Sequence, residues 1–285
     1  MATVLVGDAE FGYDEAGSGP AVLLVHAGLA DRRMWDHQFR ALSADHRVIR
    51  YDWRGYGGSA DARGEVARHE DLLALMDALA VDRAALVGCS YGGAHALDAA
   101  LVAPDRVRAL ALVCSGLSGY TWSPETVELM RRGVRAAVPA ERLRAYADRT
   151  AERVDPADVA AVAEANVRLM VVGPDRDPAE LDPGVLERAR TMCRGVFARE
   201  WNGPAFTERE PQRPALGRLA EIGASTLVVN GLADLPAIQE IAGILAGGIA
   251  GARRIDLPAT GHLPPLERPE QVTAALADFL RGLPR

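Results

Sequence analysis

Lysine is absent. All 32 basic side chains of the 285 residues are arginine, and 39 acidic residues leave a formal charge of −7. A mildly acidic chain without a basic block is unsuited to neutralising a phosphate backbone, so no nucleic-acid partner is expected. Cysteine is scarce: Cys89, Cys114 and Cys193 are odd in number, widely spaced and form no CxxC pair. Neither a disulfide framework nor a zinc site is expected from them; they read as small buried residues of a reducing compartment. No apolar run reaches the roughly 18 to 20 residues of a membrane span. The N-terminal MATVLVGDAEFGYDEAG lacks the basic start and apolar stretch of a secretory signal. The expectation is a cytoplasmic protein that works on a small molecule without a membrane partner, and base rates point to a homodimer. Aromatics are few at 5%, but 49% of residues are hydrophobic, and a chain of this length can bury about 75% of its unfolded surface.

What is present alternates. AVLLVHAG (21–28), RVIRYDWRG (47–55), AALVGCS (84–90), VRALALVCSG (107–116), STLVVNG (225–231) and ARRIDLP (252–258) read as strands, and most are nearly continuous apolar runs, as expected for strands covered on both faces. Between them EDLLALMDALA (70–80), GGAHALDAALVAP (92–104), PAIQEIAGILAGG (236–248) and PEQVTAALADFL (269–280) carry helical spacing. Such alternation predicts an α/β fold, a mostly parallel sheet with helices on both faces, and TVLVGD with EFGYDEAG predicts an antiparallel edge hairpin. Residues 117–215 break the pattern: they show helical stretches separated by proline and no convincing strand. They are expected to form a cap inserted into a core of residues 1–116 and 216–285.

Ligands bind beyond the carboxyl ends of parallel strands, and the polar residues gather there. In LVGCSYGGAHAL, Ser90 stands between Gly88 and Gly92, where a strand-to-helix turn needs small flanks and presents Oγ above a helix N-terminus. A serine nucleophile needs a base. His262, in the loop LPATGHLPPLE before the last helix, is the best of six histidines. The base in turn needs an acid to fix its tautomer, and Asp234 in TLVVNGLADLP follows a buried strand in the order Ser, Asp, His. Asp52, Asp98 and Asp256 read as structural. Oxyanion donors are expected from the amide of Tyr91 and from the loop after Val25, with Gly28 ahead of Ala27.

LLVHAGLADRRMW, VIRYDWRGYGGS, LVGCSYGG, LVVNGLAD and LPATGH, in this order, resemble the α/β-hydrolase family, in particular its lid-bearing esterase, lactonase and perhydrolase members such as enol-lactonases. The resemblance spans the chain outside the cap. It implies nucleophile Ser90, base His262, acid Asp234 and oxyanion donors Gly28 and Tyr91, with no metal or organic cofactor. His26-Ala27 stands where the family usually has His-Gly, so a positive φ at Ala27 would strain the loop. Family members with a nucleophilic Asp, the epoxide hydrolases and haloalkane dehalogenases, are disfavoured by Ser90. The expected reaction is cleavage of a carboxylic ester or lactone through an acyl-enzyme. The alternatives are a C–C bond hydrolase, a cofactor-free lyase or cyclase using the same side chains, and a non-catalytic binding protein. Cap residues Trp122, Met192 and Trp201 are expected to line the substrate pocket, and Arg194 is a candidate to meet a substrate carboxylate.

Overall fold

The structure, a computed structural model, describes residues 1–283. In chain order its strands are β1 (Ala2–Val6), β2 (Ala9–Ala16), β3 (Ala21–Val25), β4 (Arg47–Tyr51), β5 (Gly64–Val66), β6 (Ala84–Cys89), β7 (Val107–Val113), β8 (Phe206–Glu208), β9 (Ser225–Gly231) and β10 (Arg253–Leu257). Eight of them form one sheet in the order β1-β2-β4-β3-β6-β7-β9-β10, and β5 pairs with β8. The edge hairpin β1–β2 and its junction β2–β4 are antiparallel; every other pairing is parallel. Strand order reverses between β3 and β6, which lie side by side, so their carboxyl ends flank the crevice where ligands bind in such sheets.

The helices are α1 (Asp36–Leu42), α2 (Arg68–Ala78), α3 (Tyr91–Val102), α4 (Pro124–Ala137), α5 (Ala140–Ala147), α6 (Pro156–Asn166), α7 (Pro183–Asn202), α8 (Pro236–Gly248), α9 (Pro264–Glu267) and α10 (Pro269–Arg281). Side chains alternate across the sheet. Leu23, Val25, Ile49, Leu86 and Leu112 pack with Leu72 and Leu75 of α2, Leu97 of α3 and Ile241 of α8. Val22, Leu24, Val48, Val87 and Val113 face the other way, onto Trp35, Leu42 of α1 and Leu276 of α10. That second core continues without a break into Val167, Val171, Val185, Ala189 and Met192 of the segment between β7 and β9.

The segment is helical as expected, with two departures. Phe206–Glu208 is a strand, paired with Gly64–Val66 at the foot of α2. Both are three residues long, too short to show a period. The second departure is α5, which ends at Ala147 although helical spacing runs on to Val154, because Arg149 turns to φ +55°. Its guanidinium there donates to the carbonyls of Gly203 and Pro204 just beyond α7. Elsewhere the helix starts are written in the sequence: Ser123, Asp155 and Asp182 each accept an amide of the first turn ahead of a proline.

Helix α3 sits against β6 at backbone distance. A methyl group at Gly88 would overlap the Gly92 carbonyl oxygen and lie 2.6 Å from Gly93 Cα. Backbone lies on both sides, so nothing flexible can yield. Gly88→Ala is expected to cost about 3 kcal/mol, read as a lowered midpoint in urea denaturation.

Candidate active site

Each candidate group stands at the carboxyl end of a strand. β6 runs into Ser90, whose backbone adopts φ 55°, ψ −126°, a region that side-chain-bearing residues enter only under strain. The turn is held by hydrogen bonds, Ser90 N–H to Val113 O at 3.0 Å and Gly116 N–H to Ser90 O at 2.9 Å. A side chain at Gly92 would overlap the carbonyl oxygens of Val25 and His26. Glycine therefore brings α3 up to the end of β3 and leaves Oγ at the head of the helix, whose dipole favours negative charge.

Asp234 follows β9, and His262 follows β10. His262 Nδ1–H donates to Asp234 Oδ2 at 2.6 Å, and Ser90 Oγ–H donates to His262 Nε2 at 2.7 Å. Asp234 Oδ1 accepts the Leu235 amide at 2.7 Å, so neither carboxylate oxygen is idle. The imidazole is fully buried, and Ser90 keeps 8% of its surface open. Cys114 Sγ approaches Asp234 and His262 closely enough for the three to hold a metal ion. The Asp234 and His262 atoms are already engaged with each other, so hydrogen bonding is the use the geometry makes of them.

The loop after β3 is anchored by His26. Its Nδ1–H donates to Ala27 O at 2.8 Å, its Nε2 accepts the Trp53 amide at 3.2 Å, and its ring stacks on Trp53 at 4.3 Å. Burial holds it below the ordinary imidazole range, in the neutral form both bonds require. Ala27 is not among the positive-φ residues, so alanine enters the His-Gly position without strain. Its amide is spent on Met34 Sδ at 3.2 Å. The Gly28 and Tyr91 amides have no protein acceptor among the described residues. The Tyr91 ring rests against Gly28. Asp52 ties down its own turn through the amides of Arg32 and Gly58, both at 2.8 Å.

Of the three expected pocket residues, Trp122 alone lines a cavity beside the site, together with Tyr91 and Tyr120. Met192 lies on the inner stripe Val185, Leu186, Ala189, Met192, Cys193 and Val196 of α7 and is buried in the second core. Trp201 stacks on Tyr146 at 4.8 Å and so braces α5 against α7. Arg194 is exposed and paired with Glu187 two turns back on its helix. Helical packing thus consumed residues whose type alone suggested ligand contact.

A second feature is not legible in the sequence. After α6 the chain widens into a π-helical turn, Val167–Val172, ended by Gly173 at φ 100°. Met170 O accepts the His262 amide at 3.1 Å. Buried Arg176 donates to Val171 O and Val172 O at 3.1 and 2.5 Å, to Ala259 O at 2.6 Å, and to both oxygens of buried Glu267. Glu267 in turn accepts the Gly261 amide at 2.8 Å. One ion pair therefore clamps the helical segment onto the His262 loop.

The fold and this constellation define a class. The family described as alpha/beta hydrolase fold matches residues 20–172, more than half of the chain, and the protein belongs to that family as a hydrolytic enzyme. It is similar to the enol-lactonase of Burkholderia xenovorans LB400, with TM-score 0.74, 27% identity, and coverage of 98% of this chain and 100% of that one. It is also similar to a thermophilic esterase from Thermogutta terrifontis, with TM-score 0.74, 26% identity and coverage of 98% and 97%. Among sequences, it is 26% identical over 279 residues to the 2-hydroxy-6-oxo-6-phenylhexa-2,4-dienoate hydrolase of Comamonas testosteroni, spanning 94% of this chain and 90% of that one. No helix among the described residues is long and apolar enough to cross a membrane.

Arg176→Met strands the buried Glu267 charge and is expected to cost about 3–5 kcal/mol; adding Glu267→Gln removes that charge and recovers part of the loss in urea titrations. Asp98, in the wall of the cavity beside the site, gives a pH signature. Burial pushes its carboxyl up to about 6, only partly offset by the Ser118 hydroxyl. The folded state therefore holds this proton more tightly than the unfolded chain, and the carboxylate costs stability as pH rises from about 4 through 6. Asp98→Asn, which keeps an acceptor for Ser118, is expected to gain up to about 3 kcal/mol over the native chain at pH 7.5. The gain should vanish below pH ~4 in denaturation curves run across that range.

Proposed function

We propose that the protein is a serine hydrolase that cleaves a carboxylic ester or lactone through an acyl-enzyme. The observation that carries this reading is the unbroken chain Ser90 Oγ, His262 Nε2, His262 Nδ1, Asp234 Oδ2, with links of 2.7 and 2.6 Å. In this reading His262 takes the proton of Ser90 as Oγ attacks the carbonyl carbon. Asp234 holds the tautomer and stabilises the imidazolium. Charge on the carbonyl oxygen is met by the amides of Gly28 and Tyr91, the Ala27 amide being engaged elsewhere. His262 returns the proton to the leaving oxygen, then activates the water that releases the acid. No metal or organic cofactor enters these steps. Residues 117–215 act as the cap, and its clamp on the His262 loop ties the base to the part of the chain that roofs the substrate. The three buried free thiols fit a reducing cytoplasm.

The Comamonas relative is named for hydrolysis of a dienoate, so C–C bond cleavage by the same three side chains is the second reading. It predicts turnover of a vinylogous diketone in preference to simple esters.

Treatment with a small organophosphonate at neutral pH is expected to add one adduct to the native chain and none to Ser90→Ala, read by intact mass. Ser90→Ala and His262→Ala are each expected to lower kcat by at least about 10⁴-fold on an ester substrate. The Ser90→Ala melting temperature should stay close to native, since losing one hydroxyl costs little stability; His262→Ala, which leaves a cavity and strands the buried Asp234 carboxylate, is expected to melt lower, so its activity is read below its own transition. A folded native protein that takes up no phosphonate and turns over neither ester nor diketone would remove this reading.

A further inference from the structure

A cavity of about 310 Å³ lies beside Ser90, between α3 and the residues that flank the helical segment. Its wall holds three aromatic rings, Tyr91, Tyr120 and Trp122, three carboxylates, Asp98, Glu208 and Glu210, and no lysine or arginine. It is joined to the reaction centre by two residues. Tyr91 follows Ser90 and lays its ring on Gly28, while Gly116, on the opposite wall, donates its amide to Ser90 O.

The acids are only partly offset by their neighbours. The arginines of the same stretch are committed outward: Arg209 pairs with Glu65 and Glu70, and Arg213 and Arg218 pair with Glu221. Arg68 stands 3.5 Å from Glu208 and offsets that acid in part, from behind the rings of Trp53, Tyr56 and Phe206. Asp98, 3% exposed, accepts the Ser118 hydroxyl and is offset in part by the Arg218 charge without pairing to it, and Glu210, an exposed residue, has no ion pair among the described residues. The cavity has one further incomplete group. His95, 9% exposed, makes no hydrogen bond with the described residues, and its Nε2 is 3.7 Å from Glu208 Oε1. Burial drives its pKa down to about 3, so the ring is neutral and adds no positive charge to the wall. One cavity wall thus carries a buried imidazole without a hydrogen bond to the described residues and acids whose charge is offset only in part, where a positively charged group would find complementary charge.

Aromatic faces and carboxylates around a partly desolvated space suit one kind of group. We propose that this cavity is the subsite for a cationic group, an amine or quaternary ammonium, carried by the ester or lactone that Ser90 attacks. The proposal rests on Ser90 being the nucleophile and specifies the substrate class. A cation over Trp122 and Tyr120 gains from the ring quadrupoles and from Asp98 and Glu210, whereas an anionic substrate meets repulsion from the same wall. The preference is therefore opposite in sign to the carboxylate recognition that Arg194 suggested from sequence.

Binding is tested independently of chemistry by titrating benzyltrimethylammonium chloride into Ser90→Ala calorimetrically. Saturable 1:1 binding is expected, at least tenfold weaker in Asp98→Asn and in Glu210→Gln, the latter an exposed position where folding is not at risk. Absence of saturable binding, or binding indifferent to both substitutions, overturns the proposal. On the native enzyme, acetylthiocholine is expected to exceed its uncharged carbon isostere, 3,3-dimethylbutyl thioacetate, at least tenfold in kcat/KM; parity or a preference for the isostere overturns it. If neither thioester turns over, the calorimetric result decides the subsite. The phosphonate adduct decides Ser90 separately, so failure of either idea is seen without the other.

Discussion

The backbone at Ser90 is the constraint from which the rest follows. A serine at φ 55°, ψ −126° costs of the order of 1–3 kcal/mol, and the turn persists because its surroundings leave no alternative. Amide bonds from Ser90 and Gly116 hold it, and glycines at 88 and 92 let α3 press against β6 and the end of β3 at distances that admit no Cβ. The strain yields a hydroxyl held at a helix N-terminus, next to amides that carry no other acceptor. A relaxed serine one residue into the helix would lie in the wall of the fold and not at its crevice.

A serine hydroxyl fixed this tightly is matched by an equally fixed imidazole, and here the helical segment takes part. His262 lies in a loop with no regular structure of its own. Its position is set by Asp234 on one side and, on the other, by the Met170 carbonyl and the Arg176–Glu267 pair. Two of the carbonyls that Arg176 collects, those of Val171 and Val172, are free because they close the π-helical turn and have no partner within it. The helical segment and the His262 loop are thus one mechanical unit. In the proposed function, a substrate that shifts the segment would be felt at the imidazole through backbone hydrogen bonds. The neighbouring cavity, acidic and aromatic, belongs to the same architecture. Its walls come from α3, from the chain entering the segment and from the chain leaving it, after β8 has pinned the exit to β5.

Much of this was legible in the residues. Continuous apolar runs marked the buried parallel strands, because a strand covered on both faces has no polar side to show. Ser90, Asp234 and His262 stood out because each follows such a run within a few residues, where a parallel sheet exposes its strand ends. That the Ala27 amide is engaged while the Gly28 amide is not, among the described residues, depends on Met34 Sδ, a side chain seven positions from Ala27 that is invisible to pattern. Met192, Trp201 and Arg194 do not line the cavity beside Ser90, because residue type says what a side chain can do and not which way its helix faces. The period that buried Met192 on α7 was in the sequence; that this face meets the second core was not.

Composition, periodicity and motif order by themselves determined the α/β class, the helical interruption and the identity of three groups in the candidate site, since these depend on local propensity and on burial averaged along each element. Only the tertiary structure decided which amides stay free, how His262 is braced and which charges are offset only in part beside Ser90. Each of those depends on pairs distant in the chain, Arg176 with Glu267, Tyr91 with Gly28, Asp98 with Ser118. Contacts of that kind are set by how finished elements pack, and no local pattern of residues encodes them.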